Sequence, residues 1–144
     1  MSESQYIEIT VGYAVAAAKA LFKVNPTARF CFVSGRSADP DERAGALFAR
    51  IKGRAERELN ALGENVFVFR PAYIKPTRRS GPRRDAARFF APLGTIISMF
   101  APDLSVDCDQ IAACLLDVAK RGASSHLLTN AVIRGWRSNT EGTR

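Results

Sequence analysis

The alternation of apolar and polar positions divides this chain into helical and extended segments. From Tyr6 to Phe22 the residues are rich in alanine, with Tyr6, Ile9, Tyr13, Ala17 and Leu21 at helical spacings, and Asn25-Pro26 stops the helix. The next run, Arg29 to Ser34, is short, apolar and rich in aromatic and β-branched residues. Ended by Gly35, it predicts a buried strand. Residues 36–42 have turn chemistry, after which Leu47, Phe48, Ile51, Ala55, Leu59 and Leu62 mark one face of a long helix ending at Gly63. The other face of that helix carries Arg50, Arg54, Arg57 and Glu58. Asn65 to Pro71 reads as a second buried strand, closed by a proline that cannot donate to a sheet ladder.

Two such strands joined by a helix predict a right-handed crossover and a parallel sheet. Further on, residues 75–88 read as a basic loop and residues 86–101 as one or two short helices broken by Pro92. Asp109 to Arg121 is expected to be a helix, with Asp107 or Asp109 as its N-cap and Gly122 just past its end. A short strand is expected near Leu127 to Ile133. The fold class is therefore α/β, with one domain over residues 1–137 and a polar tail over 138–144. Only two strands are strongly marked, and two buried parallel strands make a poor sheet, so more chain or a partner chain is expected to complete it.

Composition narrows the class without naming a function. With 47% apolar and 24% charged residues, the chain can bury a core and is not of the disordered type. Cys31, Cys108 and Cys114 are odd in number, widely spaced and set among apolar residues, which indicates neither a disulfide framework nor a metal cluster. A reducing cytoplasm is the expected location. No basic segment followed by an apolar run opens the sequence, so no secretory signal is read there. The longest nearly uncharged stretch, Phe89 to Pro102, has 14 residues, short of the roughly 20 that a spanning helix needs.

The net charge of +7 is local. Residues 70–88 carry seven basic groups against the single acid Asp85, whereas the flanking regions are nearly balanced. Clustered arginines invite a nucleic-acid reading. Yet no aromatics are interleaved between Tyr73 and Phe89, and Gly81-Pro82 stands where a recognition helix would be needed. A solvated loop, or a lid meeting an anionic substrate or cofactor phosphate, is the better account of that segment, with an acidic lipid surface as a further reading.

Candidate chemistry gathers at the ends of the two strands. The first ends in Val33-Ser34-Gly35 and places a hydroxyl at the carboxyl edge of the sheet, where ligands of open α/β folds bind. The following helix carries Phe48 and Lys52 one turn apart. The second strand runs into Arg70-Pro71-Ala72-Tyr73-Ile74. In this order and spacing, the three pieces resemble the second half of extended and atypical short-chain dehydrogenases/reductases, in particular the NAD-dependent epimerase/dehydratase-like family. The resemblance covers about residues 6–122.

It implies a partial Rossmann-like fold with a parallel sheet and NAD or NADP as the cofactor. Carried over by position, Ser34 matches the serine that orients the substrate. Lys52 matches the lysine that holds the cofactor ribose, and Pro71 and Ile74 match the loop beside the nicotinamide. Phe48 stands where the family has its catalytic tyrosine, and a phenyl ring has no proton to give or take. The N-terminal glycine-rich βαβ unit is absent: Gly12, Gly35, Gly45, Gly53 and Gly63 are isolated, and the chain begins about where the fourth helix of that fold would lie.

The implied function is thus an NAD(P)-dependent epimerase/dehydratase- or dehydrogenase-like protein, catalytically impaired or truncated, acting on a small-molecule substrate if active. The alternative is a noncatalytic binding or scaffold module, a homo-oligomer or a chain that pairs its sheet edge with a partner. Bland roles are expected elsewhere. Phe48 is read as core, His126 as a surface or strand-edge residue, Asp107 and Asp109 as helix caps, and Cys108 and Cys114 as buried small hydrophobes.

Overall fold

The computed structural model describes residues 2–75 and 105–137. Helix α1 (Glu3–Ile7) starts with a capping box between Ser2 and Gln5. It continues through a π-helical turn, Glu8–Gly12, into α2 (Tyr13–Val24). Strand β1 (Phe30–Val33), helix α3 (Leu47–Asn60) and strand β2 (Val66–Arg70) follow as expected. Beyond them lie β3 (Tyr73–Lys75), β4 (Ser105–Asp107), α4 (Cys108–Arg121), β5 (Leu127–Thr129) and a short α5 (Asn130–Arg134). The basic loop over 76–88, the short helices expected up to 101 and the tail over 138–144 fall outside the described residues.

β2 lies between β1 and β5 in a parallel three-stranded sheet, with Phe32 opposite Val68 and Phe69 opposite Leu128. β3 and β4 form a separate parallel pair that the sequence pattern did not reveal. Alternation along the strands sorts the side chains to two faces. Phe30, Phe32, Val66 and Val68 pack with Ala18 of α2 and Leu59 of α3. Phe67, Phe69 and Leu128, with Cys31, pack against Ile111, Cys114 and Val118 of α4 and Ile133 of α5. The protein is mixed α/β, with helices over both faces of a small parallel sheet. No described helix is long and apolar enough to cross a membrane.

Five expectations need correction. The strand expected near Leu127 to Ile133 stops at Thr129, whose hydroxyl caps the short helix that follows. β1 is only half-buried, because it is a margin of the sheet and β2 alone is central. The leading helix turns Val11, Val15, Ala18 and Phe22 inward and leaves Ile9, Tyr13 and Leu21 exposed. Alanine on every side makes both faces apolar, so spacing alone could not select the packed one. Cys108 is exposed at the first turn of α4, whereas Cys114 is buried. Phe48 is 44% exposed and is not core.

The ends of α4 match the sequence signals. Asp107 has the extended backbone of an N-cap, and its N–H donates to Gln110 Oε1 at 3.1 Å. At the other end Gly122 adopts φ 80° and ψ −173°, a positive-φ conformation open to glycine, and its N–H donates to the Val118 carbonyl at 2.7 Å as the helix closes. The Arg29 guanidinium then donates to the Lys120 carbonyl at 2.9 Å, satisfying one of the orphan acceptors of the last turn and tying α4 to the start of β1.

Candidate functional site

The carboxyl ends of β1 and β2 open onto a cleft of about 440 Å³ lined by Ser34, Gly35, Arg36, Ser37, Phe48, Pro71, Ala72 and Ile74. The main chain that builds it is tightly held. Ser34 N–H donates to the Phe69 carbonyl at 2.8 Å, and Arg36 N–H to the Pro71 carbonyl at 3.0 Å, so the chain leaving β1 stays paired with the exit of β2. Opposite, Ala72 N–H donates to Asn130 Oδ1 at 2.9 Å, which fixes the step from β2 to β3.

The loop between β1 and α3 positions Phe48. The Asp39 carboxylate accepts from the N–H groups of Ala44 and Arg43, each at 2.7 Å, and of Asp41 at 3.1 Å. These bonds, that from Ala44 first, hold its pKa below the ordinary carboxylate value. Asp39 N–H in turn donates to the Ala49 carbonyl at 2.9 Å. The loop can come that close only because residue 53 is glycine: a Cβ there would lie 1.9 Å from the Asp39 carbonyl oxygen. At the cleft itself a Cβ on Gly35 would lie 2.9 Å from the Phe48 ring, so Gly35 is what admits the ring against the strand end.

Ser34 is the chemically unusual member of the lining. It is 7% exposed, and its hydroxyl is buried with no hydrogen-bond partner among the described residues. An unmade buried hydrogen bond costs roughly 1–3 kcal/mol, so such a group calls for a physical explanation, whether strain, a catalytic role or an ordered water or ion. Among the described residues of the lining, Arg36 is the one that carries a charge. A second cleft of about 450 Å³, bordered by Asn60, Glu64, Val66 and His126, lies at the opposite end of β2 and has no such hydroxyl among the described residues.

Lys52 has a different placement from the cleft residues. Its Nζ donates to the Val33 carbonyl at 3.1 Å and lies 4.8 Å from the centre of the Phe32 ring. Ser34 N–H bonds toward β2, so the adjacent Val33 carbonyl points to the outer edge of the sheet, and the ammonium caps that edge. Burial lowers the Lys52 pKa, and Glu56 partly opposes that shift. Glu56, 2% exposed, is held in a forked ion pair by Arg70, whose Nε lies 2.9 Å from Oε1 and whose Nη2 donates to Oε2. Arg70 is thereby part of the α3–β2 junction and does not belong electrostatically to the basic loop that follows.

The structure thus brings Ser34, Phe48, Pro71 and Ile74 to one cleft and sets Lys52 behind it. The cleft contains no proton-transfer group at position 48 and, at Ser34, a buried hydroxyl with no hydrogen-bond partner among the described residues. Sequence reasoning missed Arg36, Ser37 and Ala72 as lining residues. It also missed the supports Asp39, Gly53 and Glu56, although an acid within the apolar stripe of α3 and the turn-forming Asp39-Pro40-Asp41 were legible signals. Compared with models of known families and with curated proteins, the chain matches none.

Proposed function

We propose that this chain is an NAD(P)-dependent epimerase/dehydratase- or dehydrogenase-like protein of partial Rossmann-like fold, whose cleft receives the nicotinamide end of the cofactor or the substrate beside it. The observation that carries this reading is the buried Ser34 hydroxyl, without a hydrogen-bond partner among the described residues, in a cleft lined by Phe48, Pro71 and Ile74. These residues come from the same three segments that resemble that family. The apolar walls suit a planar ring, and the Ser34 hydroxyl can donate to a carbonyl or accept from an amide or hydroxyl.

The residues fit that end of the cofactor alone, since the glycine-rich loop that would cradle the pyrophosphate is absent from the sequence. When bound, a nicotinamide supplies hydride transfer. The protein's part is to orient the ring and substrate and to exclude water from Ser34. With Phe48 at the tyrosine position, the proton that accompanies hydride transfer has no donor there, so binding without ordinary turnover is the expected behaviour.

Thermal unfolding with and without millimolar NAD+ and NADP+ tests the reading. At about ten times Kd one nucleotide should raise the Tm by on the order of 5 °C. Ser34→Ala should lose that response while unfolding at the same or a higher temperature without nucleotide, because the orphan hydroxyl is gone. A wild-type chain that responds to neither nucleotide would sink the proposal.

A further inference from the structure

The Ser34 cleft carries a second polar feature that hydride chemistry leaves unused. Ser34 and Arg36 donate their N–H groups to the carbonyls of Phe69 and Pro71, alternate residues of the neighbouring chain, so the β1–β2 ladder continues past Val33. Two residues of extended chain set their Cα atoms roughly 6–7 Å apart, and both residues line the cleft. The Arg36 side chain is exposed and forms no ion pair among the described residues. Two acids of the loop that follows are engaged elsewhere. Asp39 accepts from the N–H groups of Asp41, Arg43 and Ala44, and Glu42 pairs with Arg57.

The charges behind the cleft are matched: Arg70 is forked onto Glu56, and Lys52 donates to the Val33 carbonyl. That leaves one positive charge, Arg36, in the described lining. A guanidinium presents a planar fork that fits the two oxygens of a carboxylate, and one guanidinium balances one carboxylate charge. A phosphate group, at about −1.5 to −2 near pH 7, would exceed it. The Ser34 hydroxyl can pair with a carbonyl or a hydroxyl of the same ligand. Phe48, Pro71 and Ile74 offer an apolar wall to the rest of it, and a cleft of about 440 Å³ is of small-molecule size.

We infer that the cleft binds a small hydroxy or oxo acid, with its carboxylate on Arg36, its hydroxyl or carbonyl on Ser34 and its apolar remainder against Phe48, Pro71 and Ile74. This rests on the reading of the cleft as a substrate site and names the class of substrate. Isothermal titration calorimetry of the full chain with phenyllactate, whose ring suits the Phe48 wall, tests it beside three probes that each change one group. Phenyllactamide removes the charge, phenylpropionate removes the hydroxyl, and phenyl phosphate replaces the carboxylate. Phenyllactate should bind roughly five- to tenfold more tightly than the amide or phenylpropionate, the range between an exposed ion pair and a charged hydrogen bond. Arg36→Gln should lose the preference over the amide and keep that over phenylpropionate, and Ser34→Ala should do the reverse. Because Arg36 is exposed, Arg36→Gln should unfold at the wild-type temperature. No preference for the acid over the amide, or a preference that survives Arg36→Gln, overturns the inference. So does tighter binding of phenyl phosphate, which would assign Arg36 to phosphate esters. These titrations contain no nucleotide, so acid binding by a chain that ignores NAD+ and NADP+ removes the cofactor reading and leaves this one standing. A nucleotide response without acid binding does the opposite.

Discussion

A single carboxylate shows how this protein fixes its site. Asp39 collects three backbone N–H groups of the loop before α3, and those bonds favour its ionised form. A carboxylate whose folded pKa lies below its unfolded value of 3.8 contributes stability that is fully present above that value and is lost as the pH falls through the lower folded value. The difference in urea midpoint between wild type and Asp39→Ala should therefore be constant from pH 7 down to about 5 and shrink toward pH 3. A difference that persists unchanged at pH 3 would show that the carboxylate charge is not what holds the loop. Ser34 is the converse case, a polar group without a hydrogen-bond partner among the described residues. The sequence made it a candidate by its place at a strand end, but only the packed structure reveals that its hydroxyl is buried and that no described residue pairs with it.

At the scale of elements, α3 is packed on two sides. Ile51, Ala55 and Leu59 face the core, while the backbone at Gly53 receives the Asp39 loop in van der Waals contact. Gly53→Ala should cost about 1–3 kcal/mol by overpacking, although alanine is the better helix former, and guanidinium unfolding will measure it. A neutral or stabilising result would mean that the loop does not rest on the helix there. The pattern of α3 was legible because its apolar residues share one stripe and charges fill the rest. The leading helix was legible as a helix but not in its orientation, since its alanines satisfy either face. β3 and β4 were invisible, because three-residue strands carry too few positions to show a period.

Over the whole molecule, cooperativity can be read at the thiols. Cys114 is fully buried between β2 and α4, and burial, with the nearby Cys31 thiol as a lesser cause, pushes its pKa up to about 11. Cys108 is exposed. At pH 8, iodoacetamide should modify Cys108 first and Cys114 only in step with global unfolding, as mass spectrometry of labelled peptides will show. Early labelling of Cys114 would mean that α4 opens independently of the sheet. The sequence by itself determined the alternation of helices and strands, the parallel pairing of β1 with β2, the caps of α4 and the gathering of residues at the strand ends, because each is set by local period, turn chemistry or chain connectivity. Tertiary structure decided which face of the first helix is covered, that β1 is a margin of the described sheet, that Lys52 caps its edge and that the Ser34 hydroxyl is buried with no partner among the described residues. Those outcomes depend on which distant segments compete for the same space and the same hydrogen bonds, and no local pattern encodes that competition.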